Sequence, residues 1–238
     1  LIEKSLKTNN TILLATSNSE KNLAINTVGF KPFKTLVLNN AVTPINLKAL
    51  DSNQIHSNYI CTIARPSYQK NLEMLLKVFL LVSNKHKALH LYIIGAGKYS
   101  PSLNKINHII SDYSLEDRIT ILPWIPRKKA LSILKNSKIY VSTSRYEGMP
   151  FSVIESMSLK VPCVLTDVDG NRDLIVDGFN GYIIKNMNIE QMSTKICSLI
   201  ENISKRKQMG ENAHTFYKKH HRLSNFINKL TEHYINFS

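Results

Sequence analysis

Two carboxylates eight positions apart, Glu147 and Glu155, bracket the run Gly148-Met149-Pro150-Phe151-Ser152-Val153-Ile154. Pro150 suits the first turn of a helix, which leaves Glu147 in the preceding loop and puts Glu155 in the second turn. Helical rise and loop reach then hold the two acids about 10 Å apart, a separation at which they could bind hydroxyls at two ends of one ligand. Ionised carboxylates are good acceptors for sugar hydroxyls. The N–H groups of Met149, Phe151 and Ser152 belong to the same helix mouth, where unpaired donors favour an anion. The plainer reading is of two solvated acids placed favourably near a helix N-terminus.

A second constellation is cationic. Ala64-Arg65-Pro66-Ser67-Tyr68-Gln69-Lys70-Asn71 puts Arg65 and Lys70 beside another expected helix start. A diphosphate there would meet fixed positive charge, free backbone N–H groups and the helix dipole together. Taken alone this pair is weak evidence, because Arg and Lys flank helices everywhere. Gly95-Ala96-Gly97 follows an apolar run and precedes a helical one, so a ligand could approach the backbone closely at Gly95 and Gly97. The third glycine of a dinucleotide fingerprint is missing. No His/Asp cluster suggests a metal site.

These loops need a frame. From Asn58 onward, strand-like runs (58–64, 89–94, 118–122, 138–142, 162–166 and 181–185) alternate with helical stretches. Leu72, Leu75, Leu76 and Phe79, for example, recur at helical spacing within 71–81. Near-continuously apolar strands alternating with helices predict an α/β domain with a doubly wound, Rossmann-like parallel sheet. Ligands of such folds sit beyond the strands' C-terminal ends, so the loops after Ala64, Ile94, Leu122, Ser142 and Thr166 form the expected site. The first fifty residues carry a separate β-α-β pattern over 11–15, 20–25 and 35–38. Val42–His56, containing Pro44, reads as a linker.

The chain has 238 residues, 43% of them hydrophobic, and its apolar runs are too short to span a bilayer. Cys61, Cys163 and Cys197 are widely separated and read as buried free thiols, consistent with a reducing, cytoplasmic setting. The net charge of +14 is spread through lysines, with one dense patch at Lys218-Lys219-His220-His221-Arg222. That distribution reads first as solvated helix faces, then as contact with an anionic membrane surface at the inner face of the cytoplasmic membrane. Nucleic acid is not expected, because no aromatic stripe is interleaved with the cations. The opening Leu1-Ile2-Glu3-Lys4 lacks a start Met and a signal pattern, as expected of a fragment.

The run Glu147–Glu155, with Ser144-Arg145-Tyr146 before it and Ser156-Met157 after it, resembles the E-x7-E motif of retaining GT-B glycosyltransferases of family four. Arg65 and Lys70, Ile94-Gly95-Ala96-Gly97, Leu115–Ile119, Leu122-Pro123-Trp124-Ile125-Pro126 and Thr166-Asp167-Val168-Asp169-Gly170 match that family's pattern in order. The resemblance covers about 58–185. Ala64 and Asp169 stand where the family commonly has glycine. The resemblance implies the C-terminal half of a GT-B fold: residues 1–50 the end of an acceptor domain and its crossover, 51–222 the nucleotide-sugar domain, and 223–238 a helix returning to the acceptor domain. It implies that Arg65 and Lys70 hold the diphosphate, Glu155 the ribose and Glu147 the donor sugar. Ile125 would meet the base, Gly95 and Gly97 would form a glycine turn beside the donor, and Met149, Phe151 and Ser152 would donate N–H groups.

The implied activity is retaining transfer of a sugar from a UDP or GDP sugar to a glycan or lipid-linked acceptor, in surface polysaccharide or lipopolysaccharide assembly, without a metal. This chain alone is expected to bind donor and turn over little. The alternative is a non-catalytic nucleotide-sugar-binding module that needs a separate N-terminal chain. His214, His220 and His221 are expected to lie far from the site.

Overall fold

The computed structural model describes residues 12–46 and 56–235. Six parallel strands form the main sheet: β3 (Tyr59–Ile63), β4 (His90–Ile94), β5 (Ile119–Leu122), β6 (Tyr140–Ser142), β7 (Cys163–Thr166) and β8 (Gly181–Ile184). Their order is β5-β4-β3-β6-β7-β8. The chain therefore winds outward from β3 in one direction and, starting again at β6, outward in the other. The crevice between β3 and β6 is the switch point at which doubly wound folds bind ligands. Only Cys61 and Tyr140 pair in register across it.

Alternate side chains of each strand enter opposite cores. Ile60, Leu91, Ile93, Val141 and Val164 join one apolar cluster with α2 (Leu72–Lys85), α3 (Leu103–Asp112) and α7 (Ile189–Glu201). Tyr59, Cys61, Tyr92, Ile94, Tyr140, Cys163 and Leu165 join the other, against α4 (Arg127–Asn136), α5 (Phe151–Ser158) and α8 (Ile203–His220). Burial on both faces is why these strands read as unbroken apolar runs. Each fully buried Leu, Ile or Val contributes roughly 1.5–3 kcal/mol. All three cysteines are free and buried. Burial pushes the Cys61 thiol up to about 12.

The N-terminal piece pairs β1 (Leu13–Ala15) with β2 (Thr35–Val37) in parallel. Between them lies α1 (Asn18–Leu23), continued by a π-turn to Val28 and closed by left-handed Gly29. Ser17 caps α1 by accepting from Glu20 N. The short helix α6 (Asn171–Leu174) follows β7, and its Asp173 accepts from Asn18 N at 3.0 Å, Ser19 N at 3.3 Å and Ser19 Oγ at 2.7 Å. A carboxylate at a helix N-terminus is the favourable polarity, and it ties the piece to the sheet domain.

The last helix, α9 (Leu223–Ile235), has no buried residue. The chain enters it through a bridge between Val42 and Arg222. The expected boundary at residue 50 lies outside the described residues. No helix among the described residues is long and apolar enough to cross a membrane.

Candidate functional site

Among the described residues, two clefts open beyond the C-terminal ends of the main strands, one on each side of the switch point. The narrower encloses about 410 Å³ and takes Arg65, Lys70, Gly95, Trp124, Ile125, Arg127 and Glu155 over an apolar floor of Ile63, Ala64, Ile94 and Leu131. The wider encloses about 620 Å³ and is lined by Arg145–Gly148, Asp167–Asp169, Arg172, Asn186 and Met187, with Glu20 and Leu23 of α1. All five loops expected to carry ligand contribute.

The seam between the clefts is an ion pair. Lys70 Nζ, on the narrow side, lies 2.5 Å from Glu147 Oε1, on the wide side. Ser144 Oγ donates to the same oxygen at 2.6 Å. The Glu147 side chain is only 8% exposed. Its support is rigid: Ser144 is fully buried, its hydroxyl meets Ser142 Oγ, and its carbonyl accepts from Thr166 Oγ1. Thr143 Oγ1 donates to the carbonyls of Lys70 and Asn71. Arg145 N donates to Gln69 O, and the Arg145 guanidinium lies over the Tyr68 ring. The loops after β3 and β6 are thus laced together across the crevice, which fixes the pair without ligand.

Glu155 lies on α5 with its side chain 13% exposed, held by Arg127 through Nε at 2.9 Å and Nη2 at 2.6 Å, both to Oε1. The two acids of the sequence motif therefore serve different clefts instead of facing one space. A loop residue three positions before the Pro150 cap leans over β6, whereas a second-turn residue of α5 points along the helix flank toward α4.

Gly95 adopts φ +100°, which favours glycine, and the N–H groups of Gly95 and Ala96 both donate to Leu122 O at 3.0 Å. Those donors hold the turn to β5. Gly97 lines neither cleft; it lies beneath Trp124, whose Cδ1 would be 3.7 Å from an added Cβ. Met149, Phe151 and Ser152 also line neither cleft. Met149 is a core residue whose carbonyl accepts from Asn40 Nδ2 at 2.7 Å. Phe151 is exposed. Ser152 Oγ accepts from the buried Tyr140 hydroxyl at 2.8 Å.

His221 lines neither cleft. Its Nδ1 lies 3.0 Å from Asn40 O, one residue removed from the Met149 loop, because the chain returns to pair with Val42. His221 is buried, and burial lowers its pKa.

Three features have contacts that the motifs did not report. Arg172 bridges Asp167 at 2.5 Å and Asp169 at 2.6 Å on the wide cleft's floor. Gly170, φ +77°, lies so close to the motif loop that an added Cβ would be 1.9 Å from Gly148 O. The third is Arg127, for which the one available hint was a helix opening on three cations. Among the described residues no three His, Cys, Asp or Glu side chains gather in a metal-binding arrangement.

A narrow cleft with an apolar floor, three cations and one carboxylate is chemically suited to a nucleoside bearing phosphates. The model of the family described as glycosyl transferases group 1 matches residues 50–216. The chain belongs to that family.

Among the relatives of this chain is the poly(ribitol-phosphate) alpha-N-acetylglucosaminyltransferase of Staphylococcus aureus, 37% identical over 143 residues, 59% of this chain and 28% of the relative. The poly(glycerol-phosphate) alpha-glucosyltransferase of Bacillus subtilis is 32% identical over 161 residues, 67% of this chain and 23% of the relative. The chain thus spans about a quarter of the length of these curated relatives. A crystal structure of a variant of S. aureus TarM, in complex with fondaparinux, alpha-GlcNAc-glycerol and UDP, superposes with a TM-score of 0.81 at 26% identity, over 95% of this chain and 43% of that one.

Proposed function

We propose that this chain is the donor-binding half of a retaining glycosyltransferase that uses a UDP or GDP sugar. The observation that carries the reading is the Lys70–Glu147 pair at the seam of the two clefts. It joins a cation suited to the diphosphate to a carboxylate suited to the sugar. The base would lie by the Ile125 backbone beside Trp124, the ribose at Glu155, the diphosphate at Arg65 and Lys70, and the sugar at Glu147. The turn containing Gly95 and Gly97 would border the diphosphate. N–H groups of Met149, Phe151 and Ser152 would complete the anion site. UDP in the TarM complex supports a uridine nucleotide.

In the transfer, the bond between the anomeric carbon and the leaving diphosphate oxygen breaks while the acceptor oxygen bonds to that carbon from the same face. The acceptor's proton passes to the diphosphate oxygen, and Arg65 and Lys70 stabilise the charge that develops there. Polyol-phosphate polymers are the acceptors in the names of two relatives, which supports a surface-glycan acceptor, either a polymer or a lipid-linked chain. The net charge of +14 suits work at an anionic membrane. Residues 1–50 would end an acceptor domain, 51–222 form the donor domain and 223–238 return to the acceptor domain. The exposed Ile227, Leu230 and Tyr234 of α9 suit that packing.

Calorimetric titration of this chain with UDP, GDP and ADP tests the reading. One diphosphate should bind selectively, and Glu155→Ala and Arg65→Ala should each weaken it roughly tenfold, from the loss of a charge-assisted contact. Binding that is indifferent to both substitutions would remove the donor-site assignment.

A further inference from the structure

Helix α4 opens with Arg127, Lys128 and Lys129, has no acid in its first turn and no side-chain cap. That polarity is the reverse of what a helix favours, because the free N–H groups of an N-terminus already present partial positive charge. Charge that contradicts its own element marks places where function outranks local stability. Here it has a target. The Arg127 guanidinium reaches Glu155 of α5 and places two N–H donors on one carboxylate oxygen, Oε1. Glu155 is nearly buried and Arg127 is more than half exposed, so the acid is the fixed partner, set in the cleft wall, and the arginine reaches over it from the rim.

Neither bond uses Oε2. A carboxylate has about four acceptor positions, so Oε2 can take hydroxyls while Oε1 stays engaged. We propose that Arg127 is a positioning residue of the donor site: it holds the Glu155 carboxylate in the orientation in which Oε2 receives the ribose hydroxyls of a nucleoside diphosphate. This rests on the narrow cleft being the nucleotide site. Holding one rotamer of Glu155 before the ligand arrives removes part of the ordering cost of binding. Arg127 then acts through Glu155 and not on the phosphates, which Arg65 and Lys70 serve from the opposite wall.

The experiment is a double-mutant cycle by calorimetry on this chain with Arg127→Gln, Glu155→Gln and both together. Each protein is titrated with whichever of UDP and GDP binds the wild type, with its 2′,3′-dideoxy analogue, and with inorganic pyrophosphate. Arg127→Gln should weaken the nucleotide roughly 3- to 10-fold, the scale of a single hydrogen bond. It should leave the dideoxy analogue and pyrophosphate unchanged and add nothing in the Glu155→Gln background. Unchanged pyrophosphate binding also shows that the site is folded in each variant. If Arg127→Gln weakens pyrophosphate equally, or weakens the nucleotide further beside Glu155→Gln, the arginine is a phosphate ligand and the proposal fails. If it tightens nucleotide binding, the arginine blocks the ribose position, and if nothing changes it has no part in recognition; both results overturn it. Wild-type protein that binds none of the three probes would overturn the nucleotide-site reading itself, and this inference with it.

Discussion

Glu147 receives Lys70 Nζ and Ser144 Oγ on a single carboxylate oxygen, and little of its side chain meets solvent. Hydrogen bonds to charged groups contribute about 1.5–3 kcal/mol net, and stranding the partner costs its desolvation. Lys70→Met should therefore lower stability by about 1–3 kcal/mol in urea unfolding. Adding Glu147→Gln should recover part of that loss, because the neutral amide no longer needs a cation. Losses that simply add would mean that the two groups are not coupled. Lys70 and Glu147 stand 77 positions apart. The pair exists because β3 and β6 are neighbours at the switch point.

At the scale of elements, the turn between β7 and α6 acts as a backstop for the motif loop. Gly170 and Gly178 share φ +77°, but a Cβ at Gly170 would strike Gly148 O, whereas one at Gly178 would meet nothing within 4 Å. Gly178→Ala should cost only the left-handed backbone, about 1–2 kcal/mol. Gly170→Ala adds overpacking of roughly 1–3 kcal/mol and should also displace the Glu147 loop, weakening nucleotide-sugar binding. Thermal melts of the two variants side by side separate these terms. Equal melting temperatures would show that the close approach contributes nothing. Asp169, where the resemblance leads one to expect glycine, does not disturb this contact, since it faces Arg172 at the wide cleft.

Across the whole molecule, the end of the sheet that opens on the two clefts is polar and charged, while its opposite end buries a titratable stack. His90, the first residue of β4, is 5% exposed, bonds Thr120 Oγ1 through Nε2 at 2.8 Å and stacks on His56 at 3.7 Å. Burial first, then the neighbouring His56 and Arg118, lowers its pKa from 6.5 to about 4. The unfolded chain therefore binds more protons than the fold between those values, and stability is lost as pH falls from about 6.5 toward 4. Urea unfolding at pH 7 and pH 5 should show this decline, and His90→Asn should flatten it. A slope that persists unchanged in the variant would assign it to other groups.

By itself the sequence determined the sheet and the loops. Apolar runs at strand length, alternating with helical periodicity, leave one way to bury both faces, and that architecture dictates which loops meet beyond the strand ends. It also placed Arg65, Lys70, Gly95, Ile125 and Glu147 on those loops and Glu155 on the helix that follows one of them. Their partners came only from the tertiary structure. The separation of Glu147 and Glu155 into adjoining clefts depends on how α4 and α5 lean over the sheet. The Arg127–Glu155 contact joins two helices, Gly170 is constrained by a backbone more than twenty positions away, and Asn40 reaches Met149 across more than a hundred positions. Periodicity and motif spacing are local and report which face a residue occupies; which groups touch is decided by packing between elements distant in the chain.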